Sequence, residues 1–261
     1  MRTAIGLICF KPKDVWLRFF ATFTQYDVFL IIDDNSRDYV SSNEKIKYVQ
    51  VSHEACVNTG FSGINFLFRD PTGWEKSLYH FTHMVKDYDR VWLLEEDVFF
   101  YDENTLVTID KAYESSDLLT APYKKSLNGI TDEDGDEWLW EKVTVAFDPP
   151  YYHSMVCASR LSKALLEAID AYAKENNSLF FLEALFPTLC YTKGLKHDTP
   201  PQLQTVLWKM NYDIATFTKD KVYHPIKEYE QHEMIRKRLS TTGGARKTRR
   251  KRRRRRRSRR S

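Results

Sequence analysis

The sequence predicts an α/β fold built on a mostly parallel sheet flanked by helices. Apolar runs of strand length recur at residues 4–10, 28–32, 46–51 and 90–94, with helical periodicity between several of them. Strands that alternate with helices pair in parallel, because each connection crosses the sheet and returns right-handed. Two of the runs end abruptly in acids: Val28–Ile32 leads into Asp33-Asp34-Asn35-Ser36, and Val91–Leu94 leads into Glu95-Glu96-Asp97. Open α/β sheets bind ligands beyond the carboxyl ends of their strands. The pattern that predicts the fold therefore also points to a site.

Ala4–Phe10 reads as a buried first strand, and Val15, Trp16, Phe19, Phe20 and Phe23 follow at helical spacing. Val28–Ile32 and Ile46–Val51 read as the second and third strands, and residues 58–70 as an irregular, Gly-containing stretch. Trp74, Leu78, Phe81, Val85 and Tyr88 mark one face of an amphipathic helix leading into a fourth strand, Arg90–Leu94. Leu118–Ala121 reads as another strand. Pro122–Pro150 reads as an excursion carrying the acidic run Asp132–Glu137 beside Trp138 and Trp140. Met155–Ala158 is strand-like, and Ser159 or Ser162 is suited to cap a helix bearing Leu161, Leu165, Ala168, Ile169 and Tyr172. A further helix covers about Phe181–Tyr191, with Gly194 placed to end it. Val222–Lys227 closes the part expected to be ordered.

The net charge of +4 conceals a division. From Arg246 onward the chain carries 13 Lys and Arg and no acid, whereas the preceding 245 residues carry 27 basic against 36 acidic side chains, a net of −9. A tail from about Ser240 is expected to be disordered by self-repulsion and to contact polyanions. The acidic body disfavours an extended nucleic-acid surface on the folded part. The four cysteines form no C-x-x-C pair, and Cys9 and Cys157 fall in apolar runs, where reduced, buried thiols are expected. No stretch approaches the ~20 apolar residues of a membrane helix, and none resembles a secretory signal. A soluble, cytoplasmic protein is expected.

Glu95-Glu96-Asp97 is the strongest chemical signal. Mg²⁺ and Mn²⁺ take oxygen ligands, so one or two carboxylates suffice when a nucleoside diphosphate completes the shell. Asp and Asn after a strand also serve as turn residues that bond their own backbone. That explanation accounts for one acidic strand end better than for two. Glu183 places one carboxylate in the otherwise apolar run Leu182–Leu189, where burial raises a carboxyl pKa toward the range of a general base.

Asp-Asp-Asn-Ser closing a strand–helix–strand unit, with an acidic triplet after a later strand, resembles the nucleotide-sugar glycosyltransferases of the GT-A fold, including soluble bacterial or virus-encoded members. The likeness covers residues 4–105 well and 150–230 more loosely. It implies a GT-A-like (Rossmann-like) domain over residues 1–239, with a nucleotide-binding half at 1–105 and an acceptor half at 106–239. It also implies that Asp34 binds the nucleoside beside Asp33, that Phe10 and Lys11 flank the base, and that Asp97 binds Mn²⁺ or Mg²⁺. Glu95 and Glu96 would border the nucleotide sugar. The triplet departs from the family's Asp-x-Asp, which leaves the role of the longer Glu95 open. Leu182–Leu189 is similar to the acidic helix start of inverting enzymes such as the core-2 N-acetylglucosaminyltransferases, which implies that Glu183 takes the acceptor proton. His224-Pro225-Ile226-Lys227 is similar to a C-terminal segment of such enzymes. That likeness implies Lys227 on the leaving diphosphate and His224 as a metal ligand. The implied reaction moves a sugar from a UDP- or GDP-linked donor to a glycan or glycoconjugate hydroxyl, with inversion.

Three other patterns carry less weight. His80-x-x-His83 lies on the predicted helix without a third ligand and reads as a surface pair. Asp132–Asp136 has its Gly at the fourth position of a calcium loop rather than the sixth, and no Glu at the twelfth. Trp138 and Trp140 either stack on a sugar ring or pack the excursion onto the core. Two rival functions fit part of the chain. A sugar nucleotidyltransferase would share the sheet but needs a Gly-rich loop after the first strand, where this chain has Phe10-Lys11-Pro12-Lys13. A nucleic-acid-binding protein would act through the Arg-rich tail alone.

Overall fold

A computed structural model of the chain describes residues 1–65 and 70–241. Of the basic tail expected from about Ser240 to be disordered and to contact polyanions, Ser240 and Thr241 are helical and residues 242–261 lie outside the described residues.

β1 (Thr3–Cys9) is buried from its second residue onward, which suits an interior strand covered on both faces. α1 (Asp14–Phe20) turns Val15, Trp16 and Phe20 inward, and β2 (Asp27–Ile32) and β3 (Ile46–Val49) follow. α2 (His53–Val57) is capped by the Ser52 hydroxyl. α3 (Gly73–Tyr79) opens with a capping box between Thr72 and Glu75 and continues as a π-helical turn over His80–Met84. β4 (Arg90–Glu95), α4 (Glu103–Ala112) and β5 (Leu118–Leu119) come next. β6 (Tyr123–Ser126) and β7 (Tyr151–Ser154) pair with each other as a separate antiparallel ribbon. β8 (Ala158–Ser162), α5 (Lys163–Asn176), α6 (Leu182–Thr192) and β9 (His197–Asp198) follow. A last helix, α7, spans 229–241.

Seven strands form one mixed, mostly parallel sheet in the order β3-β2-β1-β4-β8-β5-β9. The first four run parallel, and β8 opposes both β4 and β5. Alternate residues of β1 feed two cores, as the pleat requires. Ala4 and Ile8 pack on one face with Phe81, Leu165 and Phe186, and Ile5, Leu7 and Cys9 pack on the other with Trp16, Phe20 and Leu106.

Several expectations shift. The eighth strand is Ala158–Ser162 rather than Met155–Ala158, because its pairing with Arg90–Leu94 sets the boundary. Leu161 is therefore a strand residue, and Ser162 is the cap, accepting from Leu165 N at 3.2 Å. The chain does not lose order after Lys227, since Ile235 and Leu239 of α7 pack against Phe99 and Tyr223. His80 is no surface residue: it is buried between Phe29 and Phe81, which lowers its pKa to about 4. His83 pairs with Asp170 at 2.9 Å. Trp138 stacks on His153 with ring centroids 4.0 Å apart, and Trp140 donates to the buried Asp132, so both pack the excursion. All four cysteines are free and buried. Among the described residues, no helix is long and apolar enough to cross a membrane.

Candidate active site at the carboxyl edge of the sheet

The strand order reverses direction at β1. From β1 the chain first builds outward through β2 and β3, then returns to place β4 on the other side of β1. Such a switch point leaves a crevice beyond the strand ends. Asp33 N and Asp34 N continue the ladder past β2 by bonding Cys9 O and Phe10 O at 2.9 and 3.0 Å, while Glu95 N bonds Cys157 O at 2.9 Å on the far side. A cavity of about 400 Å³ opens there, bordered by Phe10, Asp33, Trp74, Glu95, Asp97 and Lys227. A Cβ on Gly73 would lie 2.6 Å from Ile8 Cγ2, so a glycine lets the start of α3 press against β1 at this rim. Two larger cavities, of about 550 and 500 Å³, lie elsewhere, and neither gathers acids from two strand ends. The first shares Lys227 with the crevice.

At the end of β4 the acids meet cations from the last fifth of the chain. His224 Nε2 lies 3.4 Å from Glu95 Oε2 and 3.3 Å from Asp97 Oδ1, and Lys227 Nζ pairs with Asp97 Oδ2. Ile226 N bonds the Asp97 carbonyl at 2.8 Å, which fixes this segment against the strand end. Burial alone would raise the Asp97 pKa, but hydrogen bonds and charge from His224 and Lys227 outweigh it and hold the group at about 2. Burial likewise opposes the His224 imidazolium, yet Asp97 and Glu95 push its pKa up to about 9. Glu95 Oε1 accepts from Trp74 Nε1 at 2.9 Å. Glu96 accepts from the Tyr229 hydroxyl at 2.9 Å and more weakly from Phe10 N, and burial raises its pKa.

The end of β2 is arranged differently. Asp33 accepts from Lys76 Nζ at 2.6 Å, and its carbonyl takes a second bond from the same fully buried ammonium. Asp34 accepts from Ser36 N at 2.9 Å and from the Tyr39 hydroxyl at 2.6 Å, which lower its pKa well below the usual carboxylate range. Lys11 Nζ approaches Asp34 at 3.5 Å. The Phe10 side chain stands exposed.

Glu183, in the first turn of α6, comes close enough to Glu95 and His224 to feel both charges. Burial, then Glu95, raises its pKa to about 7, against a smaller opposing effect of His224. The residues expected from sequence thus fall into two groups at one edge. Phe10, Lys11, Asp33 and Asp34 lie on the β1–β2 side, and Glu95, Glu96, Asp97, Glu183, His224 and Lys227 on the β4 side. Sequence reading missed Trp74, Lys76, Cys157 and Tyr229. Only Lys76 carried a signal, a charge on the apolar-faced helix of Trp74 and Leu78.

Glu95, Cys157 and His224 each offer a ligand atom within 4.8 Å of the other two and can hold a metal ion. The donor set fits a divalent cation, with Asp97 Oδ1 beside the same imidazole nitrogen.

A family model described as a protein of unknown function (DUF3405) matches residues 112–235. The match takes in Cys157, Glu183, His224 and Lys227 and leaves out β1, β2 and β4. No curated protein matches the chain. Among solved structures, the chain is similar to 4-diphosphocytidyl-2C-methyl-D-erythritol synthase from Anaerococcus prevotii, at 13% identity and a TM-score of 0.46 over 92% of this chain and 96% of that one. It is also similar to A197 from STIV, at 15% identity and a TM-score of 0.36 over 77% and 82%. Likeness at this level carries no argument about chemistry.

Proposed function

We propose that the protein is a nucleotide-sugar-dependent glycosyltransferase of the GT-A type, acting with inversion. The observation that supports this reading most is Glu183. Its carboxyl sits beside the acidic end of β4 with a pKa near 7, suited to accept a proton at neutral pH. The acceptor oxygen attacks the anomeric carbon as the bond from that carbon to the diphosphate oxygen breaks. The hydroxyl proton passes to Glu183. The bonding pair leaves with the diphosphate, whose charge Lys227 meets. Residues 1–105 bind the donor: Asp34 and Lys11 hold the nucleoside, Phe10 flanks the base, and Asp33, Glu95 and Glu96 border the sugar diphosphate. Residues 106–239 present the acceptor. A divalent cation such as Mn²⁺ or Mg²⁺, held by Asp97 and His224, supplies charge stabilisation to the diphosphate when bound. The donor is UDP- or GDP-linked and the acceptor a glycan or glycoconjugate. We place the protein in the cytoplasm, in keeping with its four free thiols, with the basic tail holding it near polyanions.

The test is a thermal-shift and hydrolysis screen of nucleotide sugars with and without divalent cation. One donor class should stabilise the protein and be turned over. Stabilisation by a nucleoside triphosphate and by no nucleotide sugar would overturn the reading in favour of nucleotidyl transfer.

A further inference from the structure

The end of β4 carries a donor set that a nucleotide-binding acidic edge does not require. Cys157, whose carbonyl is locked to Glu95 N, places a thiol beside Glu95 and His224. Its sulfur also lies 3.5 Å from the thioether of Met155. Among the described residues, these are the only three metal-ligating side chains that gather this closely. We infer that Glu95, Cys157 and His224 form a binding site for a thiophilic divalent ion of the zinc class, with a fourth position left for water or a phosphate oxygen.

Four further observations support a site already shaped for metal. His224 Nδ1 lies 2.9 Å from the Leu207 carbonyl. A proton on Nδ1 donated to that carbonyl leaves Nε2 to ligate, the outer-shell arrangement common to metal-binding histidines. Glu95 Oε1 is tied to the Trp74 indole, which leaves Oε2, the oxygen facing His224, to ligate. Glu95 Oε2 and His224 Nε2, which pair with each other in the metal-free site, are 3.4 Å apart. Bonds of about 2.0–2.1 Å at tetrahedral angles put neighbouring ligands about 3.3–3.4 Å apart. The main chain of His224 is also pinned, with N to Thr205 O at 3.1 Å and O from Leu207 N at 3.2 Å.

The ion class follows from the sulfur. Thiolate and imidazole favour Zn²⁺ and Co²⁺ over Mg²⁺ and Mn²⁺, which prefer oxygen. Binding puts a metal–sulfur bond in place of the sulfur–hydrogen bond of Cys157 and releases that proton to water. A proton on His224 leaves in the same way, so affinity rises with pH. The metal keeps its charge of two, and no redox partner is needed. A zinc-class ion on His224 Nε2 takes the place of the Mn²⁺ or Mg²⁺ that the transfer reading puts on the same nitrogen, so the inference replaces that ion and does not rest on the transfer reaction.

The experiment titrates the reduced, chelator-treated full-length protein with Co²⁺. The expected result is one ion per chain at this site, with the intense near-ultraviolet absorption of a thiolate–cobalt bond, displaced by Zn²⁺ and not by equimolar Mn²⁺. Cys157→Ser should lose that band and bind Zn²⁺ at least about 100-fold more weakly by calorimetry, since losing a ligand outweighs the 10–100-fold typical of an outer-shell loss. Should that variant fail to fold, Glu95→Gln provides the second arm: the band stays while affinity falls. Absence of Co²⁺ or Zn²⁺ binding, Co²⁺ bound without the band, or Cys157→Ser binding Zn²⁺ as tightly as the parent overturns the inference. Nucleotide-sugar stabilisation is read separately, so its failure counts against the transferase reading and leaves the cobalt spectrum unchanged.

Discussion

At the end of β2, Asp33 and Asp34 are held by Lys76, Ser36, Tyr39 and Lys11. At the end of β4, the acids are held by His224, Lys227 and Tyr229, with Glu183 and Cys157 brought alongside. Both ends looked alike as sequence, a buried strand running into carboxylates. The first is satisfied by neighbours from the same third of the chain, in bonds typical of a turn. The second balances its charge only when His224 and Lys227, about 130 residues away, fold back onto it. A locally satisfied acid needs no ligand to explain it. A set of carboxylates, an imidazole, an ammonium and a raised carboxyl drawn from three separate segments is the arrangement in which perturbed pKa values cluster at functional sites.

The largest difference between the two ends should appear in rate. Glu183→Gln keeps shape but removes the base, and kcat should fall about 10²–10⁴-fold with donor affinity nearly unchanged, as read by steady-state kinetics beside calorimetry. Asp97→Asn removes the charge that orders His224 and Lys227, and kcat/KM should fall about 10²–10³-fold. The same exchange at Asp34 should act on donor KM and leave kcat near that of the parent. Equal losses of kcat at the two positions would erase the contrast.

Stability should show the reverse ranking. Asp33→Ala leaves the fully buried Lys76 ammonium with only a carbonyl for a partner, which should cost about 3 kcal/mol in chemical denaturation. A smaller effect concerns pH. The pKa of His224 in the folded, metal-free protein is about 9, above the ~6.5 of an unfolded chain. Its stabilising contribution is therefore complete below about pH 6.5 and is lost as pH rises through 9. Melting in the presence of chelator should weaken over that window by on the order of 1 kcal/mol more in the parent than in His224→Asn. A parallel pH profile in the two proteins would show that the imidazolium contributes nothing.

Much of this was legible in the residues. β1, β2, β4 and α6 follow from apolar runs and periodicity, and Gly194, at φ +66°, ends α6 where a left-handed residue was expected. Glu183 stood out as the one carboxylate in the apolar run Leu182–Leu189, although an ordinary helix-surface Glu would read the same way. The boundary of β8 did not, because antiparallel pairing with β4 decides it rather than the sequence of Met155–Ser162 itself. α4 buries only Thr105, Leu106 and Ile109, too sparse a stripe to announce a helix. The β6–β7 ribbon joins segments far apart in the chain. Trp74 and Cys157 read as core residues, and Lys76 drew no reading, until the fold sets them against Glu95 and Asp33.

The most direct test of a reaction centre at the β4 end is the pH dependence of kcat/KM on a turned-over nucleotide sugar, in the parent and in Glu183→Gln. A base at Glu183 predicts an acid limb in the parent with an apparent pKa near 7, because a raised Glu183 must lose its proton before it can accept one from the acceptor. The residual activity of Glu183→Gln should lack that limb. A parent limb near the ordinary carboxylate pKa, or the same limb persisting in Glu183→Gln, would contradict it.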